Sequence, residues 1–90
     1  MALEWPSKDT DEVLDYQLDW SGRLGSDTIA TSSWTVPAGI TKNSDTNTAT
    51  VTTIWLSSGT LNSSYELQNR VTTTGGRTMD QTVRIRIRAK

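Results

Sequence analysis

The chain contains no cysteine and no histidine. Without cysteine there is no disulfide, no thiolate nucleophile and no sulfur-based metal site. Without histidine it lacks the commonest general base near neutral pH and the commonest transition-metal ligand. No nucleophile–base set can be assembled, and no spacing singles out a pair of carboxylates for acid–base work. An enzyme is therefore not expected, and neither is a cofactor. Phenylalanine is also absent, so the four tryptophans supply much of the bulk in a chain that is only 33% hydrophobic. No apolar run approaches the about 18 residues of a membrane helix. The first residues lack the basic-then-apolar pattern of a signal segment. A soluble protein made in a cytoplasm is the expectation.

What is present points to strands. Ninety residues allow one domain, and a chain this short buries only about 60–65% of its unfolded surface. Serine and threonine together make up 26 residues. Threonine favours strands, and serine and glycine favour turns. So polar a composition could signal disorder, but regular alternation and well-spaced tryptophans argue for a fold.

The clearest pattern lies in the last third. Tyr65, Leu67, Asn69 and Val71 share one face of an extended strand, because side chains alternate with period two. Val83, Ile85 and Ile87 do the same, with Arg84, Arg86 and Arg88 opposite. Gly75-Gly76 allows the tight reversal of an antiparallel hairpin between them. Such a pair needs further strands behind it.

Residues 1–10 are expected to form an extended, exposed N-terminal arm, with Trp5 held extended by Pro6. Trp5 is either tucked against its own domain or kept for a partner. Residues 11–90 form the domain. In Val13–Trp20, Leu14, Tyr16, Leu18 and Trp20 face one way. Ser21–Asp27 is a turn, with Leu24 as a small apolar plug. Thr28–Val36 is a strand with Ala30, Ser32, Trp34 and Val36 on one face, ended by Pro37. Ile40–Thr46 pairs weakly, and Asn43, Ser44, Asp45 and Asn47 cluster as turn formers. In Thr48–Leu56, Ala49, Val51, Thr53 and Trp55 lie opposite Thr50, Thr52, Ile54 and Leu56. Both faces have apolar weight, which suits a central strand. Trp20, Trp34 and Trp55 are all assigned to the core. A glycine at position 59 followed by Tyr65 at a strand start suggests the tyrosine corner of immunoglobulin-type sandwiches. Five firm strands and one or two weak ones make an all-β antiparallel sandwich of about six to seven strands.

Charge is unevenly spread. Residues 1–20 hold six acidic side chains against Lys8, a net of −5, and residues 70–90 hold six basic side chains against Asp80, a net of +5. Either the two ends lie side by side in one fold, or the acidic end of one copy meets the basic end of the next and builds rings or stacks. The string Asp9, Asp11, Glu12 lacks the glycine turn and ligand spacing of a calcium loop, so no metal is assigned. The Arg84, Arg86, Arg88 stripe has no interleaved aromatic residue, and nucleic acid is not expected as a partner. Such a stripe also protects an edge strand from stray pairing. Asn62-Ser63-Ser64 matches a glycosylation sequon, relevant only to a secreted eukaryotic protein.

Three runs carry a resemblance. They are Leu3-Glu4-Trp5-Pro6-Ser7-Lys8-Asp9-Thr10-Asp11-Glu12-Val13-Leu14-Asp15-Tyr16-Gln17-Leu18-Asp19-Trp20, then Asp27-Thr28-Ile29-Ala30-Thr31-Ser32-Ser33-Trp34-Thr35-Val36, and Tyr65-Glu66-Leu67-Gln68-Asn69-Arg70-Val71-Thr72-Thr73 followed by Gly75-Gly76-Arg77. Together they resemble the phage fibre–tail adaptor family, small immunoglobulin-like virion proteins of tailed bacteriophages and prophages. The resemblance spans nearly the whole chain but leaves out residues 40–47. It implies an immunoglobulin-like fold and a structural role, with several symmetric copies in the virion tail, made in the bacterial host cytoplasm. Other virion proteins (tail, fibre or connector) would be the partners, with no membrane involved and no catalytic residues. Charge and exposure nominate Trp5, Asp9, Asp11 and Glu12 for one contact and Arg84, Arg86 and Arg88 for the other. The alternatives are head completion or capsid decoration in the same virion, and a carbohydrate- or surface-binding module.

Overall fold

The computed structural model describes residues 3–89. The elements in chain order are β1 (Leu3–Glu4), β2 (Leu14–Asp19), a single helical turn α1 (Ser21–Leu24), β3 (Ile29–Thr35), β4 (Ile40–Asn47), β5 (Val51–Ser58), β6 (Ser64–Thr73) and β7 (Thr78–Arg86). They form a four-stranded sheet, β1-β7-β6-β3, facing a three-stranded sheet, β2-β5-β4. β1 and β7 pair in parallel, and an isolated parallel bridge joins Lys8 to Ile87; among the described residues the other ladders are antiparallel.

Alternation builds the core. Tyr16, Leu18 and Trp20 from one sheet meet Leu67, Val71, Val83 and Ile85 from the other, with Ile54 and Leu56 fully buried on central β5. Leu24 plugs one end of the sandwich and is 2% exposed. Burying an aliphatic side chain of this size contributes about 1.5–3 kcal/mol.

One polar group crosses the core. The Asn69 carboxamide oxygen accepts the Trp20 indole N–H at 3.0 Å and the Thr52 hydroxyl at 2.8 Å. Its NH₂ donates to the Ser32 hydroxyl and the Ser33 carbonyl, both at 2.9 Å. Buried polar atoms need such partners, and here satisfying them ties β2 and β5 to β6 and β3. At the far end, Tyr65 makes the expected tyrosine corner: its hydroxyl accepts the Thr60 N–H at 2.9 Å.

Four expectations are corrected. Ile29 is buried and Ala30 exposed, because a bulge between Ile29 and Thr31 shifts the strand's phase. Asn43, Ser44, Asp45 and Asn47 lie within β4; as an edge strand it tolerates such residues, and pairing with β5 outweighs their turn preference. Trp55 is not in the core but 40% exposed, since the inward phase of β5 belongs to Thr52, Ile54 and Leu56. The arginine stripe does not guard an open edge at Arg84, because β1 pairs there. Residues 3–8 are extended but not detached. Trp5 N–H bonds the Arg84 carbonyl at 2.9 Å and Lys8 N–H the Arg86 carbonyl at 3.0 Å. Lys8 is fully buried, and its Nζ donates to the Asp9 and Ser58 carbonyls at 2.7 Å each.

Candidate interaction surface

The arginines fall into two groups. Arg70 makes a two-pronged pair with Asp80, at 2.8 and 3.1 Å. Arg77 bonds the Leu24 carbonyl at 2.8 Å and pairs with Asp27. Arg23 lies 4.8 Å from the Trp20 ring centroid and donates to the Asp80 carbonyl. These three are engaged within the domain. Arg84, Arg86 and Arg88 project outward from β7 and its continuation, alternating with buried Val83, Ile85 and Ile87. Arg84 lies 3.9 Å from Glu4 and 4.0 Å from Glu66, long exposed pairs that contribute little. Among the described residues, no carboxylate is within ion-pairing distance of Arg86 or Arg88.

The acidic residues of the N-terminal segment form a tight turn rather than a string. Glu12 accepts the Asp9 N–H at 2.8 Å, and Glu12 N–H returns to the Asp9 carbonyl at 3.2 Å. The Asp9 carboxylate accepts the Asp11 N–H at 3.2 Å. Arg88 N–H bonds the Lys8 carbonyl at 2.9 Å, which sets the basic end of the chain beside this acidic turn. The two oppositely charged ends are therefore neighbours within one domain.

Trp5 is half-buried against its own domain. It stacks on Tyr16 with ring centroids 4.8 Å apart and planes 16° apart, and it tilts over Trp34 at 5.8 Å. Tyr16 donates its hydroxyl to the Pro6 carbonyl at 3.3 Å. Burial, and then the charges of Glu12 and Asp15, push that hydroxyl's pKa up to about 12. Beside this stack runs a groove of about 450 Å³ lined by Trp5, Pro6, Ser7, Leu14, Asp15, Tyr16 and Gln17. Sequence reasoning nominated Trp5 but not the groove, because Pro6 and Leu14 come together only when the N-terminal segment, paired with β7, packs beside Tyr16. It also missed Trp55, which stands on the outer face of the three-stranded sheet between Asp15 and Ser44. The only signal for it was the apolar weight on both faces of β5. Among the described residues no helix is long and apolar enough to cross a membrane.

Two facing sheets, a first strand laid parallel against the last, and a tyrosine corner define an immunoglobulin-like sandwich. The solution structure of the PKD domain from KIAA 1837 protein is similar, with a TM-score of 0.56 at 16% identity over 97% of this chain and 79% of that one. At that identity the likeness speaks for the fold alone. No curated protein matches the chain in sequence. The chain belongs to the family described as Podophage GP4 fiber-tail adaptor protein gp77, which matches it over residues 8–86.

Proposed function

We propose that the protein is a structural component of the tail of a podophage virion, joining the tail to a fibre or a neighbouring tail protein. Family membership over residues 8–86 supports the class of role. The observation on the chain itself that carries the contact is the outward-facing Arg86 and Arg88, which have no carboxylate in reach among the described residues. Several symmetric copies are made in the host cytoplasm and enter the particle. Their contacts use Arg84, Arg86 and Arg88 together with the adjacent acidic turn of Asp9, Asp11 and Glu12, and Trp5. The role is structural rather than catalytic and needs neither nucleic acid nor membrane.

The test is the triple change Arg84→Glu, Arg86→Glu, Arg88→Glu. The purified variant is expected to keep its fold, since all three side chains project to solvent, and to be lost from assembled particles. Normal incorporation would refute the arginine contact. Light scattering of the wild-type protein at low and high salt separates the partners. Salt-sensitive multimers mean that copies meet one another, because screening weakens exposed ion pairs. A monomer at every salt concentration means that the arginines await a different protein.

A second possibility draws on Trp55, a solvent-facing indole flanked by carboxylate and hydroxyl side chains that could stack on a sugar. Binding of cell-wall glycans by the wild-type protein but not by Trp55→Thr would favour a carbohydrate-binding module.

A further inference from the structure

Among the described residues, the two sheets end at β1 and β3 and at β2 and β4, and the β3 edge is partly engaged, since Ile29 N–H bonds the Ala49 carbonyl at 2.9 Å. An open edge offers unpaired backbone donors and acceptors, and proteins usually blunt it with bulges, charges or brevity. β1 is two residues long. β3 is broken by a bulge between Ile29 and Thr31, and β4 by one between Lys42 and Ser44. Of these four, β2 has the longest unbroken ladder, from Leu14 opposite Leu56 to Asp19 opposite Val51. Its phase is set by Trp20, whose N–H bonds the Thr50 carbonyl on the β5 side at 2.8 Å. Period two then turns the backbone N–H and C=O groups of Asp15 and Gln17 away from β5, towards the open side.

The same edge borders the groove lined by Trp5, Pro6, Leu14 and Tyr16. A strand added there would send alternate side chains into that groove and the others onto the outer face, beside Asp15 and Asp19. β2 carries no lysine or arginine. A second copy of β2 laid antiparallel on the first would set acid against acid, which disfavours self-pairing.

We propose that the open edge of β2 takes an extended segment of a neighbouring virion protein. That segment carries apolar side chains towards Trp5 and Tyr16, alternating with Lys or Arg side chains towards Asp15 and Asp19. Backbone hydrogen bonds supply the affinity and the alternate side chains the selectivity, as in strand addition generally. Placing the partner in a virion rests on the adaptor role; the docking edge does not.

The experiment uses the full chain and a short acetylated peptide alternating arginine and valine, followed by amide hydrogen exchange in NMR. The peptide is expected to slow exchange at Asp15 and Gln17 by about tenfold or more, as newly bonded amides are protected. A control peptide with the same charges, N-methylated at alternate residues, is expected to protect neither amide. Equal protection by the control would reduce the effect to charge attraction and overturn the proposal. So would protection confined to β3 or β4, no protection at all, or pairing of β2 with β2. Gln17→Pro removes an outward N–H that no ladder bond uses, so this variant is expected to keep its circular dichroism and lose the peptide effect. If it does not fold, the N-methyl comparison still decides. Failure here with loss of the triple-arginine variant from particles would leave the adaptor role standing without this edge.

Discussion

Asn69 accepts the indole N–H of Trp20 from the opposite sheet at 3.0 Å. No cysteine pair fastens this sandwich, and the carboxamide forms a directional link between its layers. Asn69→Leu would leave the Trp20 N–H and the Thr52 hydroxyl without their shared acceptor. A buried donor left unmade costs about 1–3 kcal/mol, and each kcal/mol lowers Tm by about 4–8 °C in a domain of this size. Thermal denaturation followed by tryptophan fluorescence measures it. An unchanged Tm would mean that leucine packing offsets the lost bonds.

Tyr65 and Gly39 form a second sensitive pair. Tyr65→Phe removes the acceptor for the Thr60 N–H and is expected to cost about 1 kcal/mol. Gly39→Ala is expected to cost more. Gly39 has φ +102°, and an added Cβ would lie 2.8 Å from the Tyr65 hydroxyl oxygen. Urea midpoints of the two variants check the order, and a milder Gly39→Ala would show that the Gly39 turn can move.

Asp27 makes stability depend on pH at the low end. The Thr73 hydroxyl, the Thr28 and Gly75 N–H groups and the Arg77 guanidinium all favour its ionised form, holding its pKa at about 2. A carboxyl depressed on folding stabilises above its unfolded pKa of about 4, and that contribution is lost as pH falls through the folded value. The wild-type protein should therefore exceed Asp27→Asn in Tm at pH 5, with the gap closing between about pH 4 and pH 2. A gap unchanged across that window would assign the variant's effect to geometry instead of charge.

The tryptophans should separate by position. Trp34, 9% exposed beneath Trp5, is expected to cost about 3–5 kcal/mol on change to alanine. Trp55→Thr, on the outer face of β5, is expected to cost less than about 1 kcal/mol, because threonine suits a half-exposed strand. Chemical denaturation of both measures the difference. Equal losses would place Trp55 in a buried contact.

The strands that alternate cleanly could be read directly from their residues. Leu14, Tyr16, Leu18 and Trp20 point inward as their spacing demands, and so do Leu67, Asn69, Val71, Val83 and Ile85. The tyrosine corner followed from one residue at one strand start. Bulges hid the rest: a single extra residue near Ala30 moved Ile29 inward without a mark in composition. β4 was obscured because an edge strand with one buried end, at Ile40, needs little hydrophobicity of its own. Asn69 was placed on the inward face, but its bridging role depends on Trp20, 49 residues away. Lys8 looked like the lone cation of an acidic arm, and its burial depends on the turn at Ser58, 50 residues distant. The arginine stripe was legible as a stripe; that Arg84 meets Glu4 and Glu66 while Arg86 and Arg88 meet no carboxylate among the described residues depended on where every carboxylate lay.

The parallel pairing of β1 with β7 has a mechanical consequence. A pull that draws the N-terminal segment one way along the pair and β7 the other loads several hydrogen bonds together: Trp5 to Arg84, Lys8 to Arg86 and Arg88 to Lys8. They are strained in shear as a group, whereas an antiparallel hairpin pulled at its open end unzips one bond at a time. If the chain carries load between two virion proteins, as proposed, that arrangement would oppose tension along the axis of the strands.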